Sequence, residues 1–132
     1  MHVVIMGCGR TGSLLATMLT EAGHEISIID WSEPAFQRLP DDFEGQTVLG
    51  NAVDQDVLVE AGIERADAFV AATSGDNRNV MASEVVQRVF HVPKVVSRIK
   101  DPNRAQIFQE LGIEVDCRTV EGAEVLLQLI DA

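Results

Sequence analysis

No tyrosine occurs in these 132 residues, and tryptophan occurs once. Without tyrosine there is no Tyr/Lys proton relay of the kind single-domain short-chain reductases use, and the three histidines, His2, His24 and His91, form no motif that would replace it. Cysteine is nearly as scarce. Cys8 and Cys117 lie far apart with no CxxC or Cys/His spacing, which excludes a disulfide scaffold and a zinc site and fits a reducing, cytoplasmic setting. Basic residues number 10 against 21 acidic ones, a net charge of −11. A nucleic-acid backbone or an anionic lipid surface would be repelled by most of this molecule, so any phosphate it binds must be held locally and no nucleic-acid partner is expected. No apolar run approaches the ~20 residues needed to cross a bilayer. Met1-His2-Val3 leads directly into a strand pattern instead of a charged signal-peptide start, so direct membrane insertion is not expected.

What is abundant is apolar, at 46% of residues, enough for one domain to bury a core without staples. Short β-branched runs closed by Gly, Asp or Ser alternate with longer stretches whose apolar residues recur at helical spacing. Val3–Met6, Ile26–Ile29, Thr47–Leu49, Ala68–Ala72, Val95–Ile99 and Glu114–Cys117 read as six strands, apolar on both faces as buried parallel strands are. Leu14, Leu15, Met18, Leu19 and Ala22 predict one helical face stopped by Gly23, Asp54 predicts a capped helix ended by Gly62, and Val80 to Phe90 a longer one ended near Pro93. Ser32 before Glu33-Pro34 and Asp101 before Pro102 repeat an N-cap followed by an early proline, and Val120–Ile130 is the last helix. The alternation predicts a Rossmann-like, doubly wound three-layer α/β sandwich with a six-stranded parallel sheet, filling residues 1–132 as one domain.

Glycine-rich hexamers are common, and position is what gives Gly7-Cys8-Gly9-Arg10-Thr11-Gly12 its meaning. It follows the first strand and opens the first helix. There the first glycine makes the turn, the second lets backbone approach a pyrophosphate, and the third packs helix on strand, while the helix N-terminus offers free N–H groups and partial positive charge. Asp30 ends the second strand 18 residues after Gly12, near the spacing at which a carboxylate meets an adenosine ribose. It would repel a 2′-phosphate, and no Arg or Lys follows in Trp31-Ser32-Glu33, which disfavours NADP and leaves NAD, NADH or an adenosine nucleotide such as ATP or ADP. Solvated strand-end carboxylate is the alternative for Asp30. Trp31 either lies against the adenine or covers core at the sheet edge.

The glycine loop with Arg10 inside it, Ile29-Asp30, Gly50-Asn51-Ala52-Val53-Asp54, and Ala71-Ala72-Thr73 with Asn79 together resemble the Trk/Ktr potassium-transport regulators, whose nucleotide-binding N-terminal domain is also called RCK or KTN. The resemblance covers the whole chain and implies gating from the cytoplasmic side of a membrane potassium-translocating partner. It implies that Gly7, Gly9 and Gly12 cradle phosphates with Thr11 in the same loop, that Asp30 and Ser32 hold the ribose, and that Asn51 and Ala52 meet the base beside Thr73. Asn51 stands where the family usually has an acid, keeping a hydrogen-bonding group without its charge. Arg10 is implied to reach phosphate across a dimer interface, and Arg98 to face the ligand from the fifth strand; a solvated charge is the alternative for each, and Lys100 and Arg78 are further basic candidates. The resemblance also implies a homodimer or higher ring. Family members continue into a smaller C-terminal RCK domain absent from these residues, and the last helix crosses to a partner, so Val125, Leu126 and Leu129 face either an interface or the core.

A cofactor domain of an NAD-dependent oxidoreductase is the rival reading, since one fold serves many functions, but a substrate domain and an acid/base group are missing from it. Of the remaining groups, Asp41, Asp42 and Glu44 read as solubilising acids or a cation site. The Cys8 thiol reads as a small residue that fits, or as an oxidation sensor made acidic by the helix N-terminus.

Overall fold

The computed structural model describes residues 1–131. In chain order the elements are β1 (His2–Met6), α1 (Arg10–Glu21), β2 (Glu25–Asp30), a 3₁₀ segment (Glu33–Arg38), β3 (Gln46–Leu49), α2 (Gln55–Glu60), a 3₁₀ turn (Ile63–Arg65), β4 (Ala68–Ala71), α3 (Asp76–Arg88), β5 (Lys94–Arg98), α4 (Pro102–Glu110), β6 (Glu114–Asp116) and α5 (Arg118–Asp131). All strand pairs are parallel, in the order β3-β2-β1-β4-β5-β6. The expected doubly wound, six-stranded sheet is present.

Alternation along β1 divides the core into two layers. Val4 and Met6 pack with Leu58, Ala82 and Val86 on the α2 and α3 side, whereas Val3 and Ile5 pack with Ala16, Ala35 and Leu39 on the α1 side. Both faces of the sheet are therefore covered. Met6 is in register with Ile29 on one side and Ala71 on the other, so the chain leaves β1, β2 and β4 at one level.

Three local expectations need correction. On α1 the buried residues are Gly12, Ser13 and Ala16, with Leu15 and Leu19 packed beside them, while Leu14 and Met18 are 62% and 58% exposed. Small residues let the helix lie close to β1, and at 100° per residue Leu14 and Met18 fall on the far side. The segment after Ser32 is a 3₁₀ helix, and the Ser32 side chain makes no capping hydrogen bond. Helix α3 begins at Asp76, ahead of the apolar stripe, because its first turn is held by polar tertiary bonds: the Asp76 carboxylate accepts from the backbone N–H groups of Lys100 (2.8 Å) and Asp101 (3.1 Å). Asp54 and Asp101 do cap their helices, accepting from the backbone N–H groups of Asp56 (2.9 Å) and Asn103 (3.2 Å).

No residue of α5 is buried, so Val125, Leu126 and Leu129 are not part of this chain's core. Among the described residues no helix is long and apolar enough to cross a membrane.

Candidate functional site

The order of the sheet reverses at β1. Strands β2 and β3 are added on one side and β4 to β6 on the other, which opens a crevice at the carboxyl ends of the strands. It has a volume of about 430 Å³, within the range of small-molecule sites.

Each strand end contributes in turn. The loop after β1 supplies Gly7, Gly9, Arg10 and Thr11; β2 supplies Asp30 and Trp31; the turn after β3 supplies Gly50, Asn51 and Ala52; β4 is followed by Ala72, Thr73 and Ser74; Arg78 and Arg98 come from α3 and β5. The structure thus brings ten of the twelve expected residues to one cavity. Gly12 and Ser32 are the two it does not. A Cβ on Gly12 would fall 1.8 Å from the carbonyl oxygen of Gly7, so this glycine packs helix on strand and does not line the crevice. Ser32 lies on the far side of Asp30 in a separate shallow groove with Cys8 and Arg38. Lys100 is exposed and lines no part of the crevice.

Gly7 turns the chain at φ 105° and donates its N–H to the Ile29 carbonyl at 2.7 Å, locking the loop to β2. At Gly9 a Cβ would meet no protein atom within 4 Å, so the loop leaves open room in the crevice where a pyrophosphate would approach backbone. Asp30 is half-buried, and its two carboxylate oxygens accept from the backbone N–H groups of Cys8 at 2.8 Å and Ser32 at 2.9 Å. Each oxygen keeps a further acceptor site for a hydroxyl. The carboxylate is therefore aimed by two backbone donors before any ligand arrives.

Across the crevice, Asn79 is wholly buried and spends its amide on the frame. Its oxygen accepts from the Thr73 backbone N–H (3.1 Å) and hydroxyl (2.5 Å), and its nitrogen donates to the carbonyls of Thr73 (3.0 Å) and Arg98 (2.7 Å). Thr73 is fixed on the edge of the site, with its hydroxyl already engaged. Asn51 accepts from the Val53 N–H at 3.1 Å, leaving its amide nitrogen as a donor. Trp31 is 60% exposed, which removes the core-covering alternative. Arg98 is half-buried and its Nε has no hydrogen-bond partner.

The charged residues lining the cavity are three arginines, Arg10, Arg78 and Arg98, and one carboxylate, Asp30. In a chain of net charge −11 this is a local reversal of sign, the arrangement an anionic ligand requires.

Burial first, and then the Asp30 carboxylate, pushes the Cys8 thiol up to about 11 against a smaller opposing effect of Arg38. Cys8 is fully buried and desolvation holds its thiol neutral, which weighs against the oxidation-sensing alternative. The histidines also stay away from the cavity. His2 is buried at the opposite end of β1 with its Nε2 3.1 Å from the Ser27 hydroxyl, and burial, followed by the charge of Arg65, lowers its pKa. Among the described residues no three His, Cys, Asp or Glu side chains gather as metal ligands.

Sequence reasoning gave no site role to Met6, Ile29, Gly50, Ala72 or Ser74, all of which line the crevice. Ile29, Gly50 and Ala72 stand inside the motifs quoted above, and strand register is what brings them to the lining.

With this geometry in place, likeness to known proteins is informative. Residues 3–117 match the family model of the TrkA-N domain. The chain is 51% identical over 113 residues to the Trk system potassium uptake protein TrkA of Streptomyces coelicolor, covering 86% of this chain and 51% of that protein. It spans about half the length of the first curated relatives it matches. Among solved structures, the Kef C-terminal domain of Shewanella denitrificans in its AMP-bound form superposes with a TM-score of 0.79 at 26% identity, covering 98% of this chain and 82% of that one. The GsuK channel bound to NAD superposes with a TM-score of 0.83 at 24% identity, covering 98% of this chain and 23% of that one, which shows a shared fold.

Proposed function

The chain belongs to the TrkA-N domain family, and from that membership we propose that it is a nucleotide-binding regulatory domain that controls potassium uptake through a membrane-embedded Trk/Ktr-type partner. The observation that carries this reading is the pre-aimed Asp30 carboxylate beside a glycine loop with open room at Gly9. Adenosine ribose would occupy the carboxylate's remaining acceptor sites, and a diphosphate would lie along the loop at the start of α1.

The ligand is NAD, NADH, ADP or ATP, all of which present the same ribose and adjacent phosphates. AMP and NAD in the two structural relatives support an adenine nucleotide here. In this reading the residues bind and orient and do not catalyse. Among the described residues no histidine, lysine or glutamate lines the crevice, the one carboxylate that does is held by two backbone donors, and the hydroxyl of Thr73 is bonded to Asn79. Those facts weigh against the oxidoreductase alternative.

Control of a pore requires the nucleotide to bind two conformations with different affinity. In the proposed assembly these chains form a homodimer or ring at the cytoplasmic face, held to the membrane through the transporter, and these residues correspond to the N-terminal nucleotide-binding part of the regulator. Titration calorimetry with NAD, NADH, ADP and ATP is expected to give micromolar binding of at least one ligand, ~8 kcal/mol of binding free energy. Replacing Asp30 by Ala is expected to weaken it at least tenfold. Absence of binding to all four, or an unchanged affinity in the variant, overturns the reading.

A further inference from the structure

Arg78 and Trp31 reach the crevice from opposite walls, one in the first turns of α3 and the other at the end of β2. They meet, with the guanidinium carbon 4.0 Å from the centroid of the indole ring, well inside cation–π range. Contact with the ring is not all that positions this side chain. A Cβ on Gly75 would fall 2.9 Å from Nε of Arg78 and 3.2 Å from one of its terminal nitrogens, so the guanidinium fits there because residue 75 has no side chain.

What Arg78 lacks is a polar partner. Arg65 and Arg118 pair with carboxylates, Arg104 bonds to Asn77 and Arg38 reaches the Cys8 carbonyl. Among the described residues the Arg78 side chain, like those of Arg10, Arg88 and Arg98, has no such hydrogen bond or ion pair, and of these four it is Arg78 that rests on an indole face. Five N–H donors on a planar fork thus stand in a cavity whose floor is a phosphate loop.

Resting on the nucleotide reading above, but going beyond it, we propose that Arg78 is a phosphate-reading residue held in reserve by Trp31, and that it exchanges the indole for the oxygens of an incoming diphosphate. A cation–π contact at an exposed ring is modest, whereas bidentate, charge-assisted hydrogen bonds to phosphate are among the strongest polar contacts a side chain makes. Arrival of the anion therefore tips the exchange. The pair joins the end of β2 to the start of α3 within the lining, so exchange releases the β2 wall from the α3 wall and turns ligand occupancy into a change of local structure. The same exchange makes the site favour a diphosphate over ligands without one.

Trp31 is the only tryptophan in the chain, so its emission reports the pair directly. Inorganic pyrophosphate is the right probe because it has the phosphates and no ring to stack on the indole. In the unaltered chain, pyrophosphate is expected to change Trp31 emission saturably. Arg78→Gln is expected to show no such change, to bind ADP and pyrophosphate about tenfold more weakly, and to keep its circular dichroism. Trp31→Leu, which frees the guanidinium, is expected to bind pyrophosphate severalfold more tightly. The proposal is overturned if Arg78→Gln binds ADP as tightly as the unaltered chain, or if saturating pyrophosphate leaves Trp31 emission unchanged. Either result would leave nucleotide binding itself standing, whereas failure of the unaltered chain to bind any of NAD, NADH, ADP and ATP would remove both readings.

Discussion

Cys8 and Gly9 are neighbours in the glycine loop, yet one faces the interior and the other open space. Burial of the thiol has a consequence for pH. The unfolded chain gives up this proton near the ordinary value of 9.0 and the folded chain only near about 11. Stability contributed by the neutral thiol is thus fully present below pH 9.0 and is lost as pH rises through 11, up to about 3 kcal/mol. Chemical denaturation between pH 8 and 11 is expected to show this limb in the parent chain and Cys8→Ala to lack it. Equal slopes in the two proteins would refute the assignment. At this scale the sequence spoke through chemistry. Asp30 and the loop glycines were legible because their roles depend on residue type and spacing, whereas the burial of Cys8 and the departure of Gly12 from the crevice depend on how closely α1 approaches β1.

Elements were legible where apolar period and punctuation agreed, as in all six strands and in the helices capped by Asp54 and Asp101. They were less so where polar side chains do structural work. The first turn of α3 holds Asp76 and the wholly buried Asn79, both serving tertiary bonds that leave no hydrophobic signature. Asn79 joins three elements: the loop after β4, α3 itself and the end of β5. Replacing it with Ala strands the Thr73 N–H and the Arg98 carbonyl away from water, and urea unfolding is expected to show a loss of ~2–4 kcal/mol. Nucleotide affinity is expected to fall as well, since Thr73 and Arg98 would no longer be held in position. A variant as stable as the parent would show that water replaces the amide.

On the scale of the whole molecule, the sheet closes its own core and leaves α5 outside it. Glu121, Glu124, Gln128 and Asp131 recur at helical spacing along one stripe, and Val120, Ala123, Val125, Leu126, Leu127, Leu129 and Ile130 occupy the remaining surface. Leu126, Leu129 and Ile130 are 62%, 67% and 80% exposed. A helix so broadly apolar is costly to leave in water, and a large exposed apolar face marks an association surface. Nothing in the sequence alone could separate that role from burial, because both produce the same periodicity. In the proposed regulator the face is covered by a second copy, consistent with a dimer or ring. Sedimentation equilibrium at about 100 μM is expected to find a dimer, and Leu126→Glu with Leu129→Glu a monomer. Because these side chains touch nothing in their own core, the doubly substituted chain should keep its fold and its micromolar nucleotide affinity. A parent chain that is monomeric at that concentration, or a variant that unfolds, would place the function of α5 elsewhere.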